Sequence, residues 1–288
     1  MSATVAVVPP RPRAVARGLF RRRTVLIGAV LIAAIAMLAL LAPEIAPYSP
    51  TRLSIANRLH PPSARWWFGT DDFGRDVFSR VLYGGRLSLL VGASVVAVST
   101  IAGTVLGLAA GYFRRLDAPI GRLLDAMMAF PDILLAISLV AALGASVANV
   151  IVALSVVYTP RLARIVRAAT LVIRELTYVE AARATGLTTV GIIARHVLRG
   201  LVSPVLVQGS FVFAYAMLTE AGLSFLGVGV SPETPTWGTM IAAGKGYLDQ
   251  APWIMLFPGV TIVVAVLSLQ LIGDGLRDLL DPRLGREI

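Results

Sequence analysis

The sequence predicts an all-α protein threaded six times through a membrane, and three observations predict it. Of 288 residues, 57% are hydrophobic and 15% charged, where a soluble domain carries about 25% charged residues; an ordinary soluble globule is excluded. The apolar residues collect in charge-free runs long enough for a bilayer core of about 30 Å, which about 20 helical residues cross. The 26 basic residues, all Arg except Lys245, cluster between those runs in the way that reports sidedness. The formal charge of +10 is therefore a topology signal and not a nucleic-acid footprint. With no Cys, and His60 and His196 the only His, disulfides, thiolate sites and a histidine-rich metal centre are excluded.

Taken in order, residues 1–23 are Pro- and Arg-rich without an acid and read as a cytoplasmic tail able to touch anionic lipid. Residues 24–43 form the first span, whose roughly 19 apolar residues exceed the 7–15 of a cleaved signal, so it reads as an uncleaved anchor. Residues 44–86 form one long external loop, punctuated by Pro47, Pro50, Pro61 and Pro62, with Trp66 and Trp67 placed as interfacial anchors. Residues 87–276 hold a five-helix core and residues 277–288 a cytoplasmic tail. Within the core, the 35 positions between Asp125 and Arg161 are broken only by Asp132; one helix there would be about 52 Å long, too long for a single span. A break near Gly144 to Asn149 makes two. The 12 apolar residues Asn149 to Pro160 are too few to cross alone, so that helix continues past Arg161, Arg164 and Arg167, which share one face at spacing three.

Sidedness supports six spans. With six, 19 of the 26 bases fall inside; with five, only ten do. Both termini are then cytoplasmic. Gly103, Gly107 and Gly111, at spacing four, form a ridge that admits another backbone closely, with the partner inside this chain or in a second subunit.

The chain lacks the Gly-x-x-x-x-Gly-Lys-Ser/Thr phosphate cradle, so no nucleotide or other cofactor is expected on it and it is not expected to be an enzyme. An ion-coupled carrier, the alternative class, would place ionisable groups within its helices. Asp132 and Glu220 are the candidates, and both read as helix ends reaching interfacial water. Ser99, Asn149, Ser210 and Tyr215 are polar in apolar runs and read as interhelical hydrogen-bonding groups. Trp237 and Trp253 read as external, anchoring at the interface or meeting a partner.

The most informative stretch lies between the fourth and fifth spans, about residues 170–199. Tyr178-Val-Glu180-Ala181-Ala182-Arg183 predicts a short helix with two small residues behind a Glu, stopped by Gly186, for which a left-handed position carries no steric cost. Small side chains at Ala181 and Ala182 suit a helix lying deep in another protein's groove, with Glu180 and Arg183 at its edge; composition alone fits a solvated loop equally well.

Glu180-Ala181-Ala182, three residues, Gly186, nine residues, then His196-Val-Leu198 resembles the EAA loop of binding-protein-dependent ABC importer permeases. Phe68-Gly-Thr-Asp-Asp-Phe-Gly-Arg-Asp-Val-Phe-Ser-Arg80, Ala129-Phe-Pro131, Leu223-Ser-Phe-Leu-Gly-Val-Gly229, Ala251-Pro-Trp253, Gly273-Asp-Gly-Leu-Arg-Asp278 and Asp281-Pro-Arg-Leu284 resemble the second permease subunit of dipeptide, oligopeptide and nickel importers. The resemblance runs from about residue 20 to 285. It implies a type I ABC importer permease fold in the bacterial inner membrane. It also implies pairing with a homologous sister permease, docking of Glu180, Ala181, Ala182, Arg183 and Gly186 on one of two cytoplasmic ATPases, and delivery of substrate by an external binding protein. Di- or oligopeptide is favoured over nickel because no His, Cys or carboxylate cluster suits a metal path. Arg199 stands where the family usually has Pro, which leaves the entry into the fifth helix open.

Overall fold

The computed structural model describes residues 22–280; the Arg-rich tail up to Arg21 and the Asp281-to-Leu284 motif lie outside them. Among the described residues the chain is mostly helical, with no strand. Its long helices are α1 (Arg23–Leu40), α3 (Val77–Tyr112), α6 (Val147–Ile173), α9 (Leu198–Phe225) and α11 (Trp253–Leu280). Each is long and apolar enough to cross a membrane. The shorter ones are α2 (Ala42–Ile45), α4 (Arg114–Met128), α5 (Asp132–Leu143), α7 (Thr177–Ala184), α8 (Thr189–Ile192) and α10 (Trp237–Gly244).

The break expected near Gly144 is present. Leu143 ends α5, Gly144 has φ +92°, where a side chain would be strained, and the Ser146 side chain accepts from Asn149 N to start α6. As expected, α6 runs unbroken past Arg161, Arg164 and Arg167 to Ile173.

Two expectations are corrected. The third span is not one straight helix: α4 and α5 meet at 90°, so the described residues hold five long apolar helices, or six candidate crossings when the bent pair is counted as one. Pro131 is the cause, since its ring disfavours helical geometry at Phe130 and it has no N–H to continue the ladder. The long loop also ends early, because α3 starts at Val77 and not at Leu87. At 36 residues this helix is about 54 Å long, so its first turns, carrying Arg80 and Arg86, project beyond the apolar slab.

The glycine ridge finds its partner within the chain. A Cβ on Gly103 would lie 3.1 Å from Thr159 O, and one on Gly111 2.9 Å from Arg167 O. Backbone contact with α6 therefore leaves no room for side chains, and α3 makes its most extensive packing there. Rising numbers on α3 meet rising numbers on α6, so the two helices run parallel. Val91 and Val95 of α3, Ala136 and Val140 of α5, Leu154 of α6 and Val212 of α9 close one core. A second surrounds Trp237 between α9, α10 and α11.

The bundle thus has a loop end, carrying residues 46–76 and α10, and an opposite end, carrying α7 and the α4 elbow. The entry into the fifth helix is continuous: α8, a π turn over Ile193–Val197 and α9 form one path, and exposed Arg199 sits in the first turn of α9.

Candidate functional site

α7 stands on one buried residue. Val179 is fully buried against Leu162 and Val166 of α6, Ile192 of α8 and Leu201 of α9; burying such a side chain contributes about 1.5–3 kcal/mol. The helix is closed by a Schellman turn: Leu187 N donates to Ala182 O at 3.1 Å and Gly186 N to Arg183 O at 3.0 Å, with Gly186 at φ +83°. Leu187 then folds back onto the same apolar cluster. Glu180, Ala181, Arg183 and Gly186 are left exposed and Ala182 half-exposed. No carboxylate pairs with Arg183 and no base with Glu180 among the described residues. The five residues form one open surface, seated on the bundle through Val179 and Leu187.

Beside it, three ion pairs pin the elbow to α6. Arg161 reaches Asp132 at 3.0 Å and Arg167 Nη2 reaches Asp117 Oδ2 at 2.8 Å, while Arg164 pairs with Asp125. The shared arginine face read from the sequence is real, and it meets carboxylates 29, 50 and 39 positions away. Asp132 is thus an ion-pair partner at the start of α5, half-exposed, as a helix end would be.

Glu220 requires a correction. It is 1% exposed, and its Oε1 accepts from Ser224 Oγ and Thr236 Oγ1, each at 3.0 Å. It sits where α9 crosses the entry to α10 and is no interfacial helix end. Sequence reasoning missed this because Thr236 reaches it across the turn between the helices. The tryptophans are corrected likewise. Trp237 is 1% exposed, with Nε1 donating to Val81 O at 2.9 Å; Trp253 Nε1 donates to Thr70 O at 3.0 Å; Trp66 is buried, its ring tilted against that of Tyr48 with centroids 4.5 Å apart. Only Trp67, exposed, retains an anchoring position. Ser99 and Ser210 bond carbonyls of their own helices, Val95 O and Val207 O, and Tyr215 is exposed. Of the four polar candidates only Asn149 hydrogen-bonds between elements, donating to Leu143 O at the end of α5 and to Gly144 O, while the Tyr215 ring lies under the Arg161 guanidinium of α6 at 5.8 Å.

The loop end is organised by charge. Asp71, almost fully buried, accepts at Oδ1 from Phe73 N and Arg75 N, both 2.9 Å, and at Oδ2 from Arg75 Nε, 2.6 Å. The same oxygen lies 3.6 Å from Arg80 Nε, and Arg80 Nη1 donates to Pro50 O at 3.1 Å. Asp76 caps α3 through Ser79 N at 2.8 Å. Burial, and then the Asp71 charge, push the Asp72 carboxyl above its ordinary value; burial does the same to Asp76. The long Phe68-to-Arg80 motif is therefore a folded ionic hub joining the loop to the first turns of α3.

These features define a class: a multi-pass helical membrane protein with a compact charged cap at one end and a small exposed helix at the other. Comparison with known proteins then places it. Residues 103–286 match the family described as binding-protein-dependent transport system inner membrane component, and residues 13–62 match the N-terminal transmembrane domain of oligopeptide transport permease C. A putative peptide transport system permease protein of Brucella suis is 51% identical over 269 residues, 93% of this chain and 91% of the relative. The dipeptide transport system permease protein of Alkalihalophilus pseudofirmus is 43% identical over 265 residues, 92% and 87%. The glutathione transport system permease protein of Pectobacterium atrosepticum is 44% identical over 240 residues, 83% and 80%. The chain belongs to the family of binding-protein-dependent transport system inner membrane components, as the EAA resemblance implied.

Proposed function

We propose that the chain is one of two permease subunits of an ATP-driven importer of di- or oligopeptides in a bacterial inner membrane. In this reading both termini and α7 are cytoplasmic and the loop end faces outward. A sister permease completes the pore, an external binding protein delivers the peptide, and two ATPases bind below, one of them on α7. The single observation that carries the reading is the form of α7: a short helix with small exposed residues, locked onto the ends of α6 and α9 through Val179 and Leu187. A lever of this kind transmits movement to the bundle, whereas a loose loop would dissipate it. To bias two pore states strongly, partner binding must differ between them by several kcal/mol, and a rigid mount makes that difference available. Peptide as cargo is supported by the relatives' names; a glutathione permease among them is consistent with a short peptide-like solute.

The test uses Glu180→Lys and Gly186→Asp in the whole transporter. Glu180 is exposed and unpaired, so its reversal leaves insertion and thermal stability unchanged while co-purification of the ATPases and peptide uptake are lost. Wild-type uptake in Glu180→Lys refutes the assignment of α7. Peptide uptake by the purified chain alone, driven by a proton gradient, refutes the importer reading as a whole.

A further inference from the structure

A cavity of 720 Å³ opens at the loop end, where the 46–76 loop meets the end of α9, the turn after it and α10. Its volume falls within the roughly 300–1,000 Å³ of small-molecule sites. Leu53, Phe73, Phe225 and Val230 give it apolar walls. Most polar side chains on it are already committed. Ser224 Oγ donates to Glu220, Thr239 Oγ1 to Thr234 O and Arg75 Nε to Asp71, and Thr51 Oγ1 shares a hydrogen bond with Ser49 Oγ. Two carboxylates are left. Glu233 is exposed and pairs with no base among the described residues. The Asp72 side chain is 16% exposed, its Oδ1 is sealed from water without a hydrogen-bond partner, and Arg75 Nη2 stands off at 3.7 Å. Lys245 rests over the Phe225 ring at 5.0 Å and on neither carboxylate. An under-compensated charge costs folding energy; a carboxylate that bears this cost and borders a cavity is the usual signature of a binding site.

We infer that this cavity receives the N-terminal ammonium of a peptide, held by Asp72 with Glu233 at the rim, while the first side chain lies among Leu53, Phe73, Phe225 and Val230. The inference rests on the peptide-importer reading and adds to it a substrate contact on the permease itself. An ammonium supplies the partner that Asp72 lacks, and the apolar walls take the body that carries it. A bare metal ion has no use for those walls, and no group of three metal-binding side chains exists among the described residues.

The experiment is equilibrium binding of alanyl-phenylalanine and of its N-acetyl form to the whole transporter in nanodiscs, without the binding protein, followed by saturation-transfer NMR. The free peptide binds about ten-fold more tightly than the acetylated one, the scale of a charge-assisted hydrogen bond. Asp72→Asn removes that advantage while the melting temperature holds or rises. Glu233→Gln removes less of it, and Asp249→Asn, at an exposed carboxylate outside the cavity, removes none. Equal binding of the two peptides by the parent, unchanged affinity in Asp72→Asn, or equal weakening by Asp249→Asn overturns the site. Loss of docking of the empty binding protein in Asp72→Asn, with peptide affinity unchanged, overturns it in favour of a protein partner. Uptake with the binding protein present is measured alongside. A parent that takes up peptide but binds none in the nanodisc loses the site and keeps the importer reading; one that binds peptide through Asp72 but takes up none loses the importer reading and keeps the site.

Discussion

Asp71 and Asp72 are neighbours in one motif with opposite energetic roles. Asp71 is the sole carboxylate meeting both Arg75 and Arg80, whose side chains are 10% and 2% exposed. Asp71→Ala would strand buried positive charge, a loss of about 3–5 kcal/mol, seen as proteolysis of the 46–76 loop and a lower melting temperature. Asp72 is held partly out of water and beside the Asp71 charge, so its carboxyl is raised. Above that raised value, ionisation costs folding energy; below the ordinary carboxylate value the cost is absent. The loop therefore gains stability as pH falls from 7 through the raised value, and Asp72→Asn reduces this slope, with Asp76 supplying the remainder. Asp72→Asn is expected to match or exceed the parent's melting temperature at pH 7. A drop as large as that of Asp71→Ala would make the 3.7 Å approach to Arg75 the dominant interaction instead.

Between elements, the tightest constraint is the α3–α6 seam. A Cβ on Gly107 would stand 2.7 Å from Val166 Cβ, so Gly107→Ala forces the helices apart at about 1–3 kcal/mol. Gly259, in α11, has no atom within 4 Å of the same position, and Gly259→Ala is neutral or stabilising by up to about 1 kcal/mol. Thermal unfolding in one detergent compares the two; equal effects would mean that glycine content, not contact, holds the seam. The seam was legible in the sequence as spacing four, and the end of α5 as the Gly144 cluster, since both are local patterns. The elbow had a local signal, Pro131 followed by Asp132 at the start of α5, which counting charge-free residues passes over; its 90° angle is tertiary and no local pattern carries it. Arg161, Arg164 and Arg167 announced a shared face, but the carboxylates that meet it lie far along the chain, and no spacing rule connects them. Glu220 was misread for a related cause: its position near a span end is visible, whereas the turn that returns Thr236 to it is tertiary.

At the level of the whole molecule, the number of crossings decides which side of the membrane α7 occupies. α3 leaves the loop end, and α6 runs parallel to it, as the Gly103–Thr159 and Gly111–Arg167 approaches require. The chain must therefore return to the loop end between them, and α5 is the element that carries it. At 12 residues it spans about 18 Å of a core of about 30 Å, so the residues either side of it, Ala129 to Pro131 and Gly144 to Ser146, complete the passage. With that passage counted there are six crossings, and α7 lies opposite the 46–76 loop. The absence of Cys makes this measurable on single-cysteine variants without prior engineering. Ile55→Cys, at a position 79% exposed in the loop, is expected to react with a membrane-impermeant maleimide in intact cells. Ala181→Cys, exposed on α7, is expected to react only after permeabilisation. Labelling of both in intact cells would mean that α5 does not carry the chain across, and would place α7 beyond the reach of any cytoplasmic ATPase.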